Sequence, residues 1–167
     1  TSMIRQIENF RNAAKKLGYY PAIRLNVTSD FPAKMYKPVI EMFPDVQFYD
    51  YTKLETKPIA ENHHLTYSST GASQEINGNI IYNKESNWDR VVDKILSAGK
   101  NVAMAFTSRN DMPKFIQDER TGQTFEVWNG DEYDARFLDP VRDDGKGWIV
   151  GLTNKDRTTA PEEAASR

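Results

Sequence analysis

Residues 22–51 read AIRLNVTSDFPAKMYKPVIEMFPDVQFYDY, and the order of patterns in them decides the fold class. In residues 22–28 the apolar Ile23, Leu25 and Val27 alternate with Arg24, Asn26 and Thr28, the two-residue period of a strand. Ser29-Asp30-Phe31-Pro32 then opens a helix, a capping side chain followed closely by proline in the first turn. Met35, Val39, Met42 and Phe43 form an apolar stripe that Pro44-Asp45 terminates, and residues 46–51 make a second strand. Strand, helix and strand within about 30 residues are the signature of a right-handed parallel βαβ unit.

The neighbours extend the pattern. Upstream, Ile4, Ile7, Phe10, Ala14 and Leu17 recur at three-to-four spacing and Gly18 supplies a C-cap, which predicts an amphipathic helix. Downstream, residues 53–63 are a polar loop and 64–68 a third short strand. The Ser-, Gly- and Asn-rich stretch 69–86 carries at 79–82 an inserted strand or hairpin arm. Ser86-Asn87-Trp88-Asp89 caps a helix with the stripe Trp88, Val91, Val92, Ile95 and Leu96, closed by Gly99. Residues 101–106 are an almost unbroken apolar run, as in a strand buried on both faces, and 125–128 and 148–152 are later strands. The expected organisation is one α/β domain over 1–155, mostly parallel sheet with helices, and a flexible polar tail over 156–167.

Composition narrows the chemistry. A chain of 167 residues suffices for a core without staples. A net charge of −2 carries neither a basic nucleic-acid footprint nor an acidic mimic of one. The absence of cysteine excludes disulfides, thiolate zinc sites, iron–sulfur clusters and cysteine nucleophiles, and it suits a reducing, cytoplasmic setting. No apolar run approaches the ~18 residues of a membrane span, so no membrane role is expected. Thr1-Ser2 ahead of Met3 reads as a cloning scar, with Met3 the expected start.

In parallel sheets ligands bind beyond the carboxyl ends of the strands. The predicted tips are Thr28-Ser29-Asp30, Asp50-Tyr51-Thr52-Lys53, Tyr67-Ser68-Ser69 and Thr107-Ser108-Arg109. Asp30, Lys53, Ser68 and Arg109 are therefore the candidate ligand-binding residues, and such an edge suits a phosphate, a carboxylate or a sugar-like group; helix capping alone explains Ser29 or Asp30 equally well. Arg24, Asn26 and Thr28 share one face of a central strand, which is either exposed or lines a polar interior, and Arg24 is expected to pair with an acid such as Asp50. His63 and His64 are neighbours on a strand and face opposite ways, so they cannot share one metal ion in regular geometry. His64-Leu65-Thr66 matches one element of the two-histidine phosphoesterases, but that mechanism needs a second element and this chain has two histidines in all. His64 and Asp50 remain the candidate bases, with a histidine of no role as the alternative. Residues 129–140 are the densest polar cluster. Asp131 and Asp139 there are candidate ligands for a divalent cation, against the alternative of solvated turns with an Arg136–Asp pair. The glycines of residues 143–147 follow no strand-to-helix switch and form a turn, not a phosphate loop.

From Pro21 to about Lys155 the chain resembles a bacteriophage protein family, gene product 88-like. The resemblance is carried by residues 24–30, 43–53, 64–68, 99–103, 129–131, 136–140 and 148–152. It implies a sheet resembling part of a TIM-like (β/α) barrel; longer members carry an upstream cysteine-rich segment that this chain lacks. Two functions stay open. One is a phage or mobile-element protein that binds an anionic, nucleotide- or nucleic-acid-like ligand at the strand ends and is either catalytic or not. The other is an anti-defence type of interaction protein that uses exposed aromatics (Tyr19, Tyr20, Tyr36, Trp128) to engage a host protein.

Overall fold

The computed structural model describes residues 2–27, 31–54, 57–71, 74–76, 79–81 and 86–153. Helix α1 (Ser2–Lys16) leads to β1 (Ala22–Arg24), a 3-10 turn (Ala33–Tyr36), α2 (Lys37–Met42), β2 (Gln47–Thr52) and β3 (His63–Ser68). A separate antiparallel pair, β4 (Gln74–Ile76) and β5 (Asn79–Ile81), precedes α3 (Trp88–Arg90), which continues as a π turn (Val91–Ile95) and a 3-10 turn (Leu96–Ala98). Then come β6 (Val102–Phe106), β7 (Phe115–Gln117), β8 (Thr124–Asn129), 3-10 turns at Gly130–Glu132 and Arg136–Leu138, and β9 (Ile149–Thr153).

Seven strands form one sheet in the order β1-β2-β3-β6-β9-β8-β7, with every neighbouring pair parallel except β7–β8. The α/β class and parallel sheet expected from residues 22–51 are present. Among the described residues the sheet has two ends, β1 and β7, so the likeness to a TIM-type barrel is not established.

One face is apolar. Phe48 lies in register with His63, so Tyr67 shares its side, as do Val102 and Ile149 further along. On that side Ile7 of α1 and Ile40 of α2 pack with Phe43, Val46 and Phe48. Beside them Trp88, Val91, Val92, Ile95 and Leu96 pack with Tyr67, Val102, Met104, Phe125 and Ile149. The Trp88 indole donates to the buried Asp118 carboxylate (2.9 Å), which also accepts from the Thr121 amide (3.0 Å) and so fixes the β7–β8 turn.

Three sequence expectations change. The seam of α1 is narrower than its apolar stripe: Ile7 and Ala14 are buried, while Phe10 and Leu17 stand in solvent because α1 meets only the small β1–β2 cluster. In the next helix Ile40 and Phe43 point inward, and Met35 and Met42 are exposed, because the 3-10 turn sets a different rotation for the segment. Strand β1 ends at Arg24 because Asn26 leaves the ladder. Its amide donates to the Asp50 carboxylate (3.1 Å), and its side-chain oxygen accepts from the Tyr36 hydroxyl (2.8 Å).

The ladder between β3 and β6 contains only Tyr67–Val102 and Ser68–Ala103. Ahead of Val102 the chain is held away from β3. Gly99 is left-handed (φ 78°), and Asn101 donates to the Pro140 carbonyl and accepts from the Trp148 amide, both at 2.9 Å. Gly147 lies so close to Lys100 that a β-carbon there would fall 1.9 Å from the Lys100 carbonyl oxygen. A rung is missing beside the first half of β3.

Candidate functional site

A cavity of about 610 Å³ occupies that gap, within the usual range for small-molecule sites. Four consecutive residues of β3 line it, His64, Leu65, Thr66 and Tyr67. Successive strand side chains point to opposite faces, so side chains alone cannot present all four; the strand meets the cavity edge-on. Leu54, Pro58, Ile95, Phe137 and Val141 supply apolar wall, and Lys57, Lys94 and Lys100 stand exposed around it.

The second face of the sheet leads into this site. Registers Arg24–Tyr49–His64 and Tyr51–Thr66 place these side chains on the side opposite Phe48. His64 Nε2 and Thr66 Oγ1 are 3.2 Å apart, and burial, followed by the positive charge of Arg136, holds the His64 imidazole below its ordinary pKa. It is a neutral ring at neutral pH, fit to accept or pass a proton. Tyr49 and Tyr51 donate to the Asp134 carboxylate at 3.2 and 3.3 Å, and burial pushes the Tyr51 phenol up to about 12. Arg24 lies 3.7 Å from Asp134 and 4.5 Å above the Tyr51 ring. Its direct carboxylate partner is thus Asp134 rather than the expected Asp50, because Asp50 has the parity of Phe48 and projects to the other face.

The turn at 130–139 closes the site. Arg136, 1 % exposed, donates through Nη2 to the carbonyls of Gly130 (2.9 Å) and Tyr133 and faces Asp139 through Nη1 at 3.5 Å. Gly130 makes room for it: a β-carbon there would meet Val150 at 2.4 Å and the guanidinium at 2.6 Å. Burial pushes the Asp139 carboxyl up to about 6 against the opposing pull of Arg136.

Of the candidate residues, His64 and Asp139 line the cavity together. Asp50 is buried elsewhere, its oxygens accepting from the amides of Asn26 and Tyr51. Lys53 and Arg109 are exposed and Ser68 half-buried, none of them on the cavity wall. Asp30 lies outside the described residues. Asp131 accepts from the amide and hydroxyl of Thr153 at 3.1 and 2.7 Å, while Asp139 faces Arg136, so the two proposed metal ligands serve different partners. Among the described residues no group of three or more metal-ligating side chains gathers. His63 faces the helices, its Nδ1 accepting from the Ile59 amide at 3.3 Å. The cavity lies beneath the start of β6 and takes in Thr52 and Tyr67 near the carboxyl ends of β2 and β3, while the predicted tip Thr107-Ser108-Arg109 is not on its wall. Sequence reasoning missed Lys57, Lys94 and Lys100, which carry no signal in a chain with 22 lysines and arginines. Arg136 had one, as the arginine inside the densest polar cluster.

Fold and site together define an α/β protein with a parallel sheet, broken at one ladder by a cation-lined cavity. The chain belongs to the Gene product 88 family, whose family model matches residues 1–167, the whole chain rather than the 21–155 of the sequence resemblance. No curated protein and no solved structure matches it. Among the described residues no helix is long and apolar enough to cross a membrane.

Proposed function

We propose that this protein binds an anionic small molecule of nucleotide size in the cavity between β3 and β6. One observation carries the reading: among the described residues the charged lining is Lys57, Lys94, Lys100 and Arg136 against the single carboxylate of Asp139. That carboxylate is itself held toward its neutral form by burial. A concave, low-dielectric wall with such an excess of cations concentrates anions from solution. His64, neutral and paired with Thr66, is the group that would serve as a base if the bound molecule reacts.

The alternative of an aromatic docking patch has less support. Tyr19 and Tyr20 are exposed, but the Tyr36 hydroxyl is bonded to Asn26 and Trp128 packs on Tyr133 at 5.6 Å. The four rings do not form one exposed set.

Calorimetric titration with pyrophosphate and with nucleoside monophosphates tests the proposal. Binding is expected to weaken by about tenfold for Lys100→Ala, an effect the size of one lost charge-assisted contact, and to fall with rising salt. Absence of binding, or equal affinity in Lys57→Ala, Lys94→Ala and Lys100→Ala, would sink it.

A further inference from the structure

The cavity has a feature that charge does not explain, namely the backbone of β3. In the β2–β3 ladder the Phe48 amide donates to the Asn62 carbonyl at 2.7 Å. A parallel ladder uses alternate residues of each strand, so 62, 64 and 66 point their peptide groups at β2, and 63, 65 and 67 point theirs the other way. The outward amide of His63 is taken by the Ala60 carbonyl at 3.2 Å. Tyr67 already belongs to the ladder with β6. Leu65 alone of the three faces the gap where β6 has not begun, and it lines the cavity. In an extended residue the N–H and C=O lie side by side, so Leu65 offers one donor next to one acceptor.

A peptide strand pairs over several residues and would need a longer open edge than this. A planar heterocycle with an adjacent acceptor and donor needs only one such pair, and every common nucleobase carries one on its pairing edge. The apolar walls Leu54, Pro58, Ile95, Phe137 and Val141 suit the faces of a ring, and Lys57, Lys94 and Lys100 line the same cavity. We infer that the cavity takes a nucleoside phosphate, with the base read edge-on by the Leu65 peptide N–H and C=O and the phosphate held by Lys57, Lys94 and Lys100. This deepens the anion-binding reading and rests on it.

The test is amide hydrogen exchange by NMR on the full chain, with AMP, GMP, ribose 5-phosphate and pyrophosphate as probes. In the free protein the Leu65 amide is expected to exchange faster than those of His64 and Thr66, which pair with β2. A nucleotide is expected to slow Leu65 by about tenfold or more, and ribose 5-phosphate to leave it unchanged. Leu65→Pro removes that donor without touching the β2 ladder, a position where proline is tolerated. It is expected to lose nucleotide affinity by about tenfold and keep ribose 5-phosphate affinity; where the variant does not fold, the exchange data on the wild type decide alone.

A Leu65 amide as protected as that of Thr66 before any ligand is added overturns the inference. So does ribose 5-phosphate binding as tightly as AMP and GMP, or an acidic peptide protecting Leu65 where nucleotides do not. Lysine-dependent binding of pyrophosphate with no gain from a base removes this inference and leaves the anion site standing. No binding by any probe removes both.

Discussion

The two faces of this sheet are built from the same strands and carry opposite chemistry. Phe48, Tyr67, Val102 and Ile149 face helices and are closed off by side chains from α1, α2 and the α3 segment. Arg24, Tyr49, Tyr51, His64 and Thr66 lie on the other side, where Asp134, in the turn that also carries Arg136 and Asp139, accepts from Tyr49 and Tyr51 and faces Arg24. The first face is held mainly by burial, which is costly to puncture, with the few polar groups on it (Asp50, His63, Asp118) bonded in place. On the second, ionisable groups are kept from water with incomplete pairing. A protein that needed only stability would gain little from such an arrangement.

The sharpest way to break the contrast is on the apolar side. Phe48 is fully buried, so Phe48→Ala is expected to cost roughly 3–5 kcal/mol in denaturant unfolding. A cost below that of a polar-face substitution would mean that the helix side is not the core.

Next is the proton on Asp139. Its carboxyl is pushed up to about 6 from an ordinary 3.8, so the folded protein holds that proton to higher pH than the unfolded chain. Its stabilising contribution is complete below the unfolded value and is lost as pH rises through about 6. Relative to Asp139→Asn, wild-type stability should therefore fall on going from acid to neutral pH, by roughly 2–3 kcal/mol for a shift of this size. A flat difference between the two proteins across that window would remove Asp139 as a buried acid.

The smallest effect belongs to the partly exposed end of the polar face. Arg24 and Asp134 are 28 % and 56 % exposed at 3.7 Å, and Arg24→Ala is expected to cost no more than ~1 kcal/mol, less at high salt. A larger loss would show that this rim is structural, not simply a margin of the site.

Much of the scaffold was legible because it rests on local period. Ile23, Val46 and Phe48 alternate as strands do, and Trp88, Val91, Val92, Ile95 and Leu96 mark their helix face without ambiguity. The strand Phe115–Gln117 was not legible, since three residues carry no period and the Asp118 turn that follows it is anchored by Trp88, 30 positions away. The site was legible only in part. His64 and Asp139 could be named from residue type and neighbourhood, but the gap depends on where β6 begins relative to β3, a stagger fixed by Asn101 reaching Pro140 and Trp148. Contacts separated by 39 and 47 positions leave no local trace. Asp50 misled for a related reason: a strand-end carboxylate looks the same whether it meets a substrate or caps a neighbouring loop.

Gly147 turns this stagger into a matter of one hydrogen atom. With any side chain at 147 the strap from 99 to 101 must shift toward or away from β3, and the width of the slot shifts with it. Variation at that position would therefore alter the width of the cavity from a residue that is not on its wall.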